Sequence, residues 1–328
     1  MKLEAEVWPL AAPFRTAAHT MLDVKVLAVS LEKDGGIGRG EAAGIFYRNE
    51  SVESMVEQIE CLRAVIQQSV DRGSLQTMLP PGGARNALDC ALWDLEAKMT
   101  GRPAWQTAAL NQPHPLLTTL TCSADEPEKM ADVARRYLGA RAIKIKLMGE
   151  PVDADRVRAV REAVPDAWLS VDANQGFTRD FLERLMPVLA DNRIALIEQP
   201  FPIGHDSLLD GFRSPIPIAA DESAQSLEDI LGLVGRFSMV NIKLDKCGGL
   251  TEGLAMAQSA REHGLDAMVG NMLGTSLAMA PAFLLGQMCD VVDLDGPVFL
   301  KTDRYPGVEY VDGRVHCPAS LWGGTSET

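Results

Sequence analysis

From about residue 115 onward the chain alternates between two hydrophobic periods. The runs LTTLTC, AIKIKL, WLSVDAN, IALIEQP, PIAADES, MVNIKLD, AMVGNM and VVDLDGP are short, apolar and mostly β-branched, the mark of buried strands. Between them, segments such as DADRVRAVREAV and TEGLAMAQSAREHG repeat their apolar residues at helical spacing. Before residue 110 the order differs. Two strand-like runs, MKLEAEVWPL and DVKVLAVSLEKDG, are followed by GGIGRGE at 35–41, read as a turn. Two helical patterns come next, SVESMVEQIECLRAVIQQS and ARNALDCALWDLEAKMTG. Strands followed by helices predict a small α+β unit.

Eight strands with helical connections suit a (β/α)8-type barrel or a doubly wound sheet. The charged residues favour the barrel. Lys146, Asp172, Glu198, Asp221 and Lys243 follow one another at about 22 to 26 residues, one βα unit each, and Asp293 comes about two units later. Each closes its strand at the C-terminal end, where a barrel gathers its chemistry around one mouth. A doubly wound sheet does not bring that many strand ends together. The segment after DLDGP is expected to return to the N-terminal unit.

Asp172, Glu198 and Asp221 end neighbouring strands. One acidic strand end is as readily a helix cap or a surface ion pair, but three in succession repel one another unless a cation lies between them. An all-oxygen trio points to a hard ion, Mg²⁺. Lys146 and Lys243 end strands two and six, opposite one another across a barrel of eight. A lone inward lysine is often just the partner of a buried acid. Two bases on opposite faces of one carbon are what inversion of a stereocentre requires, one removing the proton and the other returning it. Lys144, one pleat below Lys146, is expected to lower the pKa of Lys146 and is suited to a substrate carboxylate.

Composition narrows the partners. The formal net charge is −14 with no basic run, which argues against nucleic acid. The six cysteines are scattered without a CxxC pair, fitting a reducing compartment. The N-terminus lacks the apolar stretch of a signal peptide, and no run approaches the ~18 residues of a membrane span. A cytoplasmic protein is expected. The glycines of GGIGRGE lack the context of a nucleotide loop, Cys122 and Cys247 lack a paired base, and the methionines read as core.

Taken together, KIK at 144–146, VDAN at 171–174, IEQP at 197–200, ADES at 220–223 and NIKLDKCGG at 241–249 resemble the muconate-lactonising subgroup of the enolase superfamily. Its lysine base and Mg²⁺ are a known pairing. The resemblance implies a (β/α)7β-type TIM barrel with an N-terminal α+β capping domain: residues 1–110 as cap, 111–300 as barrel and 301–328 as a returning tail. DLDGP at 293–297 is similar to the dipeptide epimerases, which implies that Asp293 and Asp295 bind a substrate α-ammonium. Their i, i+2 spacing would itself put both carboxylates on one strand face. Thr121 and Asn271 fall where those enzymes contact substrate.

The implied reaction is epimerisation of a dipeptide, L-Ala-D/L-Glu or related, at the α-carbon of its C-terminal residue. Lys146 and Lys243 would exchange the proton through an enediolate. Alternatives on the same scaffold are an o-succinylbenzoate synthase or a cycloisomerase, neither of which needs the aspartate pair. A racemase of N-acylated amino acids is disfavoured for the same reason, and a non-catalytic metal-stabilised binding protein by the retention of both lysines. Many L-Ala-D/L-Glu epimerases carry an arginine in a cap loop near residue 20. This chain has Met21 there, with Arg15, His19 and Arg48 nearby but out of register. The second residue's side chain and the oligomeric state, a homo-oligomer included, are left open.

Overall fold

The computed structural model describes residues 1–15 and 20–325. At the N-terminus β1 (Lys2–Arg15), β2 (Thr20–Lys33) and β3 (Gly36–Ala42) form an antiparallel sheet in that order. Four helices accompany it: α1 (Val52–Cys61), α2 (Arg63–Ser69), α3 (Arg72–Met78) and α4 (Gly83–Thr100). GGIGRGE is therefore mostly strand. The turn is confined to Asp34 and Gly35, both at positive φ. Gly38 and Gly40 serve close packing instead, since a Cβ on either would stand 2.1 Å from a carbonyl oxygen of α4, Ala91 and Ala87 respectively. The helical pattern at 51–69 breaks at Leu62, whose ψ is 3°. Helix α3 has no counterpart in the sequence reading. Its seven residues bury only Leu75, too little to show a period.

A short helix α5 (Ala104–Thr107) and β4 (Leu116–Leu117) lead into eight parallel strands. These are β5 (Thr119–Cys122), β6 (Ala142–Lys146), β7 (Trp168–Asp172), β8 (Ile194–Glu198), β9 (Ile218–Ala220), β10 (Met239–Ile242), β11 (Asp266–Val269) and β12 (Val291–Val292). They lie side by side in sequence order, as the runs of apolar residues predict. The connecting helices are α6 (Pro127–Arg136), α7 (Asp153–Ala163), α8 (Arg179–Asp191), α9 (Ile230–Leu233), α10 (Leu244–Cys247), α11 (Leu250–Glu262) and α12 (Ser276–Gly286).

Strand alternation separates core from chemistry. Ile143, Ile145, Val171, Ile197, Val240 and Ile242 join the large apolar cluster shared with the helices. Residues of opposite parity, Leu196, Ala219, Met239 and Met268, fill the barrel floor. Lys144, Lys146, Asp172 and Glu198 continue that inward face towards the mouth.

The seam between β12 and β5 is closed by side chains. Leu294 N–H donates to Thr118 Oγ1 at 2.9 Å, Thr119 Oγ1 to Asp293 Oδ1, and Thr121 N–H to Asp295 Oδ2 at 2.7 Å. Beyond it, β13 (Glu309–Val311) pairs with β14 (Arg314–His316), and β14 with β4. The tail then reaches the N-terminal unit. Trp322 Nε1 donates to the carbonyls of Arg39 and Cys90, both at 3.0 Å, and Gly323 N–H to Asp94 Oδ1 at 2.8 Å.

Candidate active site

Lys146, Asp172 and Glu198 are the last residues of their strands, and Asp221 and Lys243 lie one residue past theirs. The register pairs Lys146 with Asp172 and Asp172 with Glu198, so the strand ends are level and their side chains converge. Lys146 Nζ donates to Asp172 Oδ2 at 2.5 Å and to Asn174 Oδ1 at 2.9 Å. Lys243 Nζ donates to Asp221 Oδ2 at 2.6 Å. Both lysines thus do have buried acids as partners, and both also line the cavity.

The ammonium of Lys144 pairs with Asp293 across the seam and stands 3.8 Å from Asp172 Oδ2 and from Glu198 Oε2. Burial opposes its charge, yet Asp293, Glu198 and Asp172 together hold it well above the usual lysine range. The aspartate pair departs from a plain strand face. Strand β12 ends at Val292, and Asp293 and Asp295 lie beyond it, with Asp295 leading a one-turn 3₁₀ helix. Both still line the cavity, as do Thr121 and Asn271. Asn271 Nδ2 donates to the Asp293 carbonyl at 2.6 Å. Burial and then Asp293 push the Asp295 carboxyl up to about 6.

Asp172, Glu198 and Asp221 each offer an oxygen within 4.8 Å of the others, and all three are buried. Glu198 Oε2 accepts no hydrogen bond. Burial, followed by the Asp172 charge, raises its carboxyl to about 8. Burial opposes ionisation of Asp221 too, but Lys243 and Lys246 hold it far below the usual carboxylate range. Around the mouth six buried carboxylates (Asp172, Glu198, Asp221, Glu222, Asp293, Asp295) face four buried lysines (Lys144, Lys146, Lys243, Lys246). When all are ionised, two negative charges are left over, which one divalent cation neutralises. Hard oxygen donors, a buried oxygen that accepts no hydrogen bond and this charge balance all fit Mg²⁺.

The cavity has a volume of 820 Å³, part of it open to solvent. Its cap side is apolar and aromatic, with Phe14, Met21, Phe46 and Tyr47 facing Met272 and Leu273 of the barrel. Neither Arg15 nor Arg48 lines it. Arg15 pairs with Asp125 at 3.3 Å, and Arg48 reaches the Lys246 carbonyl at 3.4 Å. His19 lies outside the described residues. Burial raises the thiols of Cys122 and Cys247 to about 12, which disfavours a thiolate at either.

Several residues that shape the site were missed in the sequence. Asn241 Nδ2 donates to Glu198 Oε1 at 2.7 Å, and Gln199 Oε1 accepts from Asp221 N–H at 2.9 Å. Lys246 Nζ donates to Asp221 Oδ1 at 2.6 Å. All three sit in motifs already singled out, IEQP and NIKLDKCGG, where a polar residue beside Glu198 or within three residues of Lys243 was the available signal.

Residues 1–107 match the mandelate racemase/muconate lactonizing enzyme N-terminal domain, and residues 128–321 the enolase C-terminal domain-like family. An L-Ala-D/L-Glu epimerase from Escherichia coli K12 is 39% identical, covering 96% of this chain and 99% of that one. An N-acetyl-D-glutamate racemase from Pseudoalteromonas is also 39% identical, over 84% of this chain and 88% of its own. Among solved structures, an enolase family member from Agrobacterium tumefaciens with homology to dipeptide epimerases, bound to sodium and L-Ala-L-Glu, superposes with a TM-score of 0.95. It is 40% identical and covers 98% of this chain and 99% of its own. The dipeptide epimerase of Methylococcus capsulatus, complexed with Mg and L-Arg-D-Lys, gives a TM-score of 0.89 at 31% identity, covering 97% and 96% of the two chains. With both halves matched and the strand-end carboxylates in place, the chain belongs to the mandelate racemase/muconate lactonizing enzyme family of the enolase superfamily.

Proposed function

We propose that this protein is a Mg²⁺-dependent dipeptide epimerase that inverts the α-carbon of the C-terminal residue. One observation carries the reading. Lys146 and Lys243 stand on the second and sixth strands of the barrel, and the three carboxylates end the strands between them and border on the sixth. Asp172, Glu198 and Asp221 would hold the ion, which when bound neutralises charge that builds on the substrate carboxylate as the α-proton leaves. Lys146 removes the proton from one face and Lys243 supplies one to the other. For either to act as a base, its ammonium must leave its carboxylate partner and lose a proton. Asp293 and Asp295 receive the substrate ammonium, Thr121 and Asn271 flank it, and the cap closes over the second side chain. The epimerase relatives and the dipeptide-bound neighbours support the assignment.

Among the described residues no helix is long and apolar enough to cross a membrane. A cytoplasmic role in turnover of cell-wall peptides is consistent with the six free cysteines and the dipeptide substrate. A racemase of N-acylated amino acids is the second reading. It is favoured by the Pseudoalteromonas relative and by the Lys144–Asp293 ion pair, which already supplies Asp293 with a cation.

The test is ¹H NMR in D₂O with Mg²⁺, comparing a dipeptide panel with N-acetyl amino acids. Loss of the α-proton signal from the C-terminal residue of a dipeptide is expected. Exchange confined to N-acetyl substrates would replace the leading reading by the second, and no exchange with either would sink both.

A further inference from the structure

Lys246 is 1% exposed and does not line the cavity, so it cannot reach a substrate. Its ammonium is nevertheless fully used. It donates to Asp221 Oδ1 at 2.6 Å, to the Asp221 carbonyl, and to the Asn241 carbonyl at 3.0 Å. Lys243 takes the other carboxylate oxygen, Oδ2. The one-turn helix α10 begins at Lys243 as its cap, so the three-residue step brings both lysines onto one carboxylate. The Asn241 side chain meanwhile holds Glu198. Lys246 therefore fixes Asp221 directly and Glu198 through one neighbour.

The cap holds this arrangement from behind. Helix α10 ends at Gly248 and Gly249, at φ 82° and 118°. Arg85 of α4 donates to the Cys247 carbonyl at 2.5 Å and the Gly248 carbonyl at 3.3 Å. Asp89 accepts from Thr251 N–H at 2.9 Å. A Cβ on Gly248 would stand 2.2 Å from Arg85 Nε. CGG at 247–249 is where cap and barrel interlock behind the site.

We infer that Lys246 is a positioning residue, the permanent counter-ion of Asp221 that keeps this carboxylate in place when Lys243 turns to the substrate. Lys243 cannot both hold Oδ2 and act on an α-carbon. Once it leaves, Asp221 loses one of its two ammonium partners, but Lys246 keeps Oδ1 and the main-chain carbonyl. The inference rests on the proposed role of Asp221 as a metal ligand.

The test uses the full chain with Mn²⁺ as the probe, followed by electron paramagnetic resonance, alongside α-proton exchange from the L- and D-epimers of the preferred substrate. Lys246→Met removes the charge at similar volume, and Lys246→Gln removes it while retaining a donor. Mn²⁺ affinity is expected to fall at least tenfold in both. Exchange should fall further for the epimer that Lys243→Ala identifies as its own than for the one served by Lys146. A merely structural lysine would lower both epimers equally and leave Mn²⁺ binding unchanged, which would overturn the inference. So would the absence of a cooperative melt in both variants. Wild-type protein that binds no Mn²⁺ would overturn the metal assignment itself, whereas variants that match a Mn²⁺-binding wild type would overturn this inference alone.

Discussion

Asp245, the first acidic residue of α10, gives a sharp test of how burial sets stability here. It is 5% exposed and accepts from the Ala43 N–H of the cap at 2.9 Å. Burial is the largest influence on its carboxyl, the Ala43 bond offsets part of it, and Glu50 and Glu41 raise it further, to about 7 from 3.8. The folded pKa lies above the unfolded one. Below about pH 4 both states hold the proton and this group costs nothing. From there to pH 7 the unfolded chain releases the proton first, so stability falls by about 1.4 kcal/mol per unit, reaching about 4 kcal/mol.

Asp245→Asn keeps an acceptor for Ala43 but cannot ionise. Weakening of that bond costs about 1 kcal/mol. The variant should therefore be more stable than wild type by about 3 kcal/mol at pH 8, and roughly equal to it at pH 5. Urea unfolding followed by circular dichroism at the two pH values measures this directly, the difference between proteins cancelling other titrations. A variant less stable than wild type at pH 8, or offset equally at both, would refute the reasoning: the ionised carboxylate would then be favoured in place.

Three further outcomes are expected. Because Glu198 is raised to about 8, Mg²⁺ binding at pH 7 should release close to one proton and tighten as pH rises to 8; calorimetry in buffers of different ionisation enthalpy reads the proton count, and zero release would show Glu198 already ionised. Gly40→Ala places a Cβ against the Ala87 carbonyl and should cost about 2 kcal/mol or more, with an unchanged melting temperature as the adverse result. Lys146→Ala and Lys243→Ala should each slow α-proton exchange by about 10²- to 10⁴-fold, each for a different epimer; loss of the same epimer in both would place the two lysines on one face.

The barrel was legible because its chemistry repeats with its architecture: an ionisable residue recurred at five consecutive strand ends, from Lys146 to Lys243, about one βα unit apart. Periodicity also gave the eight strands in order. It failed at β3, where glycine permits contact with α4 instead of turning the chain, and at α3, where one buried leucine makes no period. The Lys144–Asp293 pair joins the second and eighth strands, so no local spacing reveals it, and the like-charge argument for Lys144 and Lys146 omitted the carboxylates that answer each lysine. Lys246 and Asn241 escaped notice because they act through other side chains.

The seam between β12 and β5 places a constraint on how this scaffold can diversify. The oxygens of Asp293 and Asp295 that close the barrel onto Thr119 and Thr121 belong to the same carboxylates that face the cavity. Under the proposed function, replacing either aspartate to suit a substrate without an ammonium would also loosen the fold at this side-chain-stitched joint. New specificity is more freely acquired on the cap side of the cavity, where Met21, Phe46 and Tyr47 take no part in the seam's hydrogen bonds. Under that function, recognition of the backbone end of a substrate is tied to the architecture, and recognition of its side chain is left open to change.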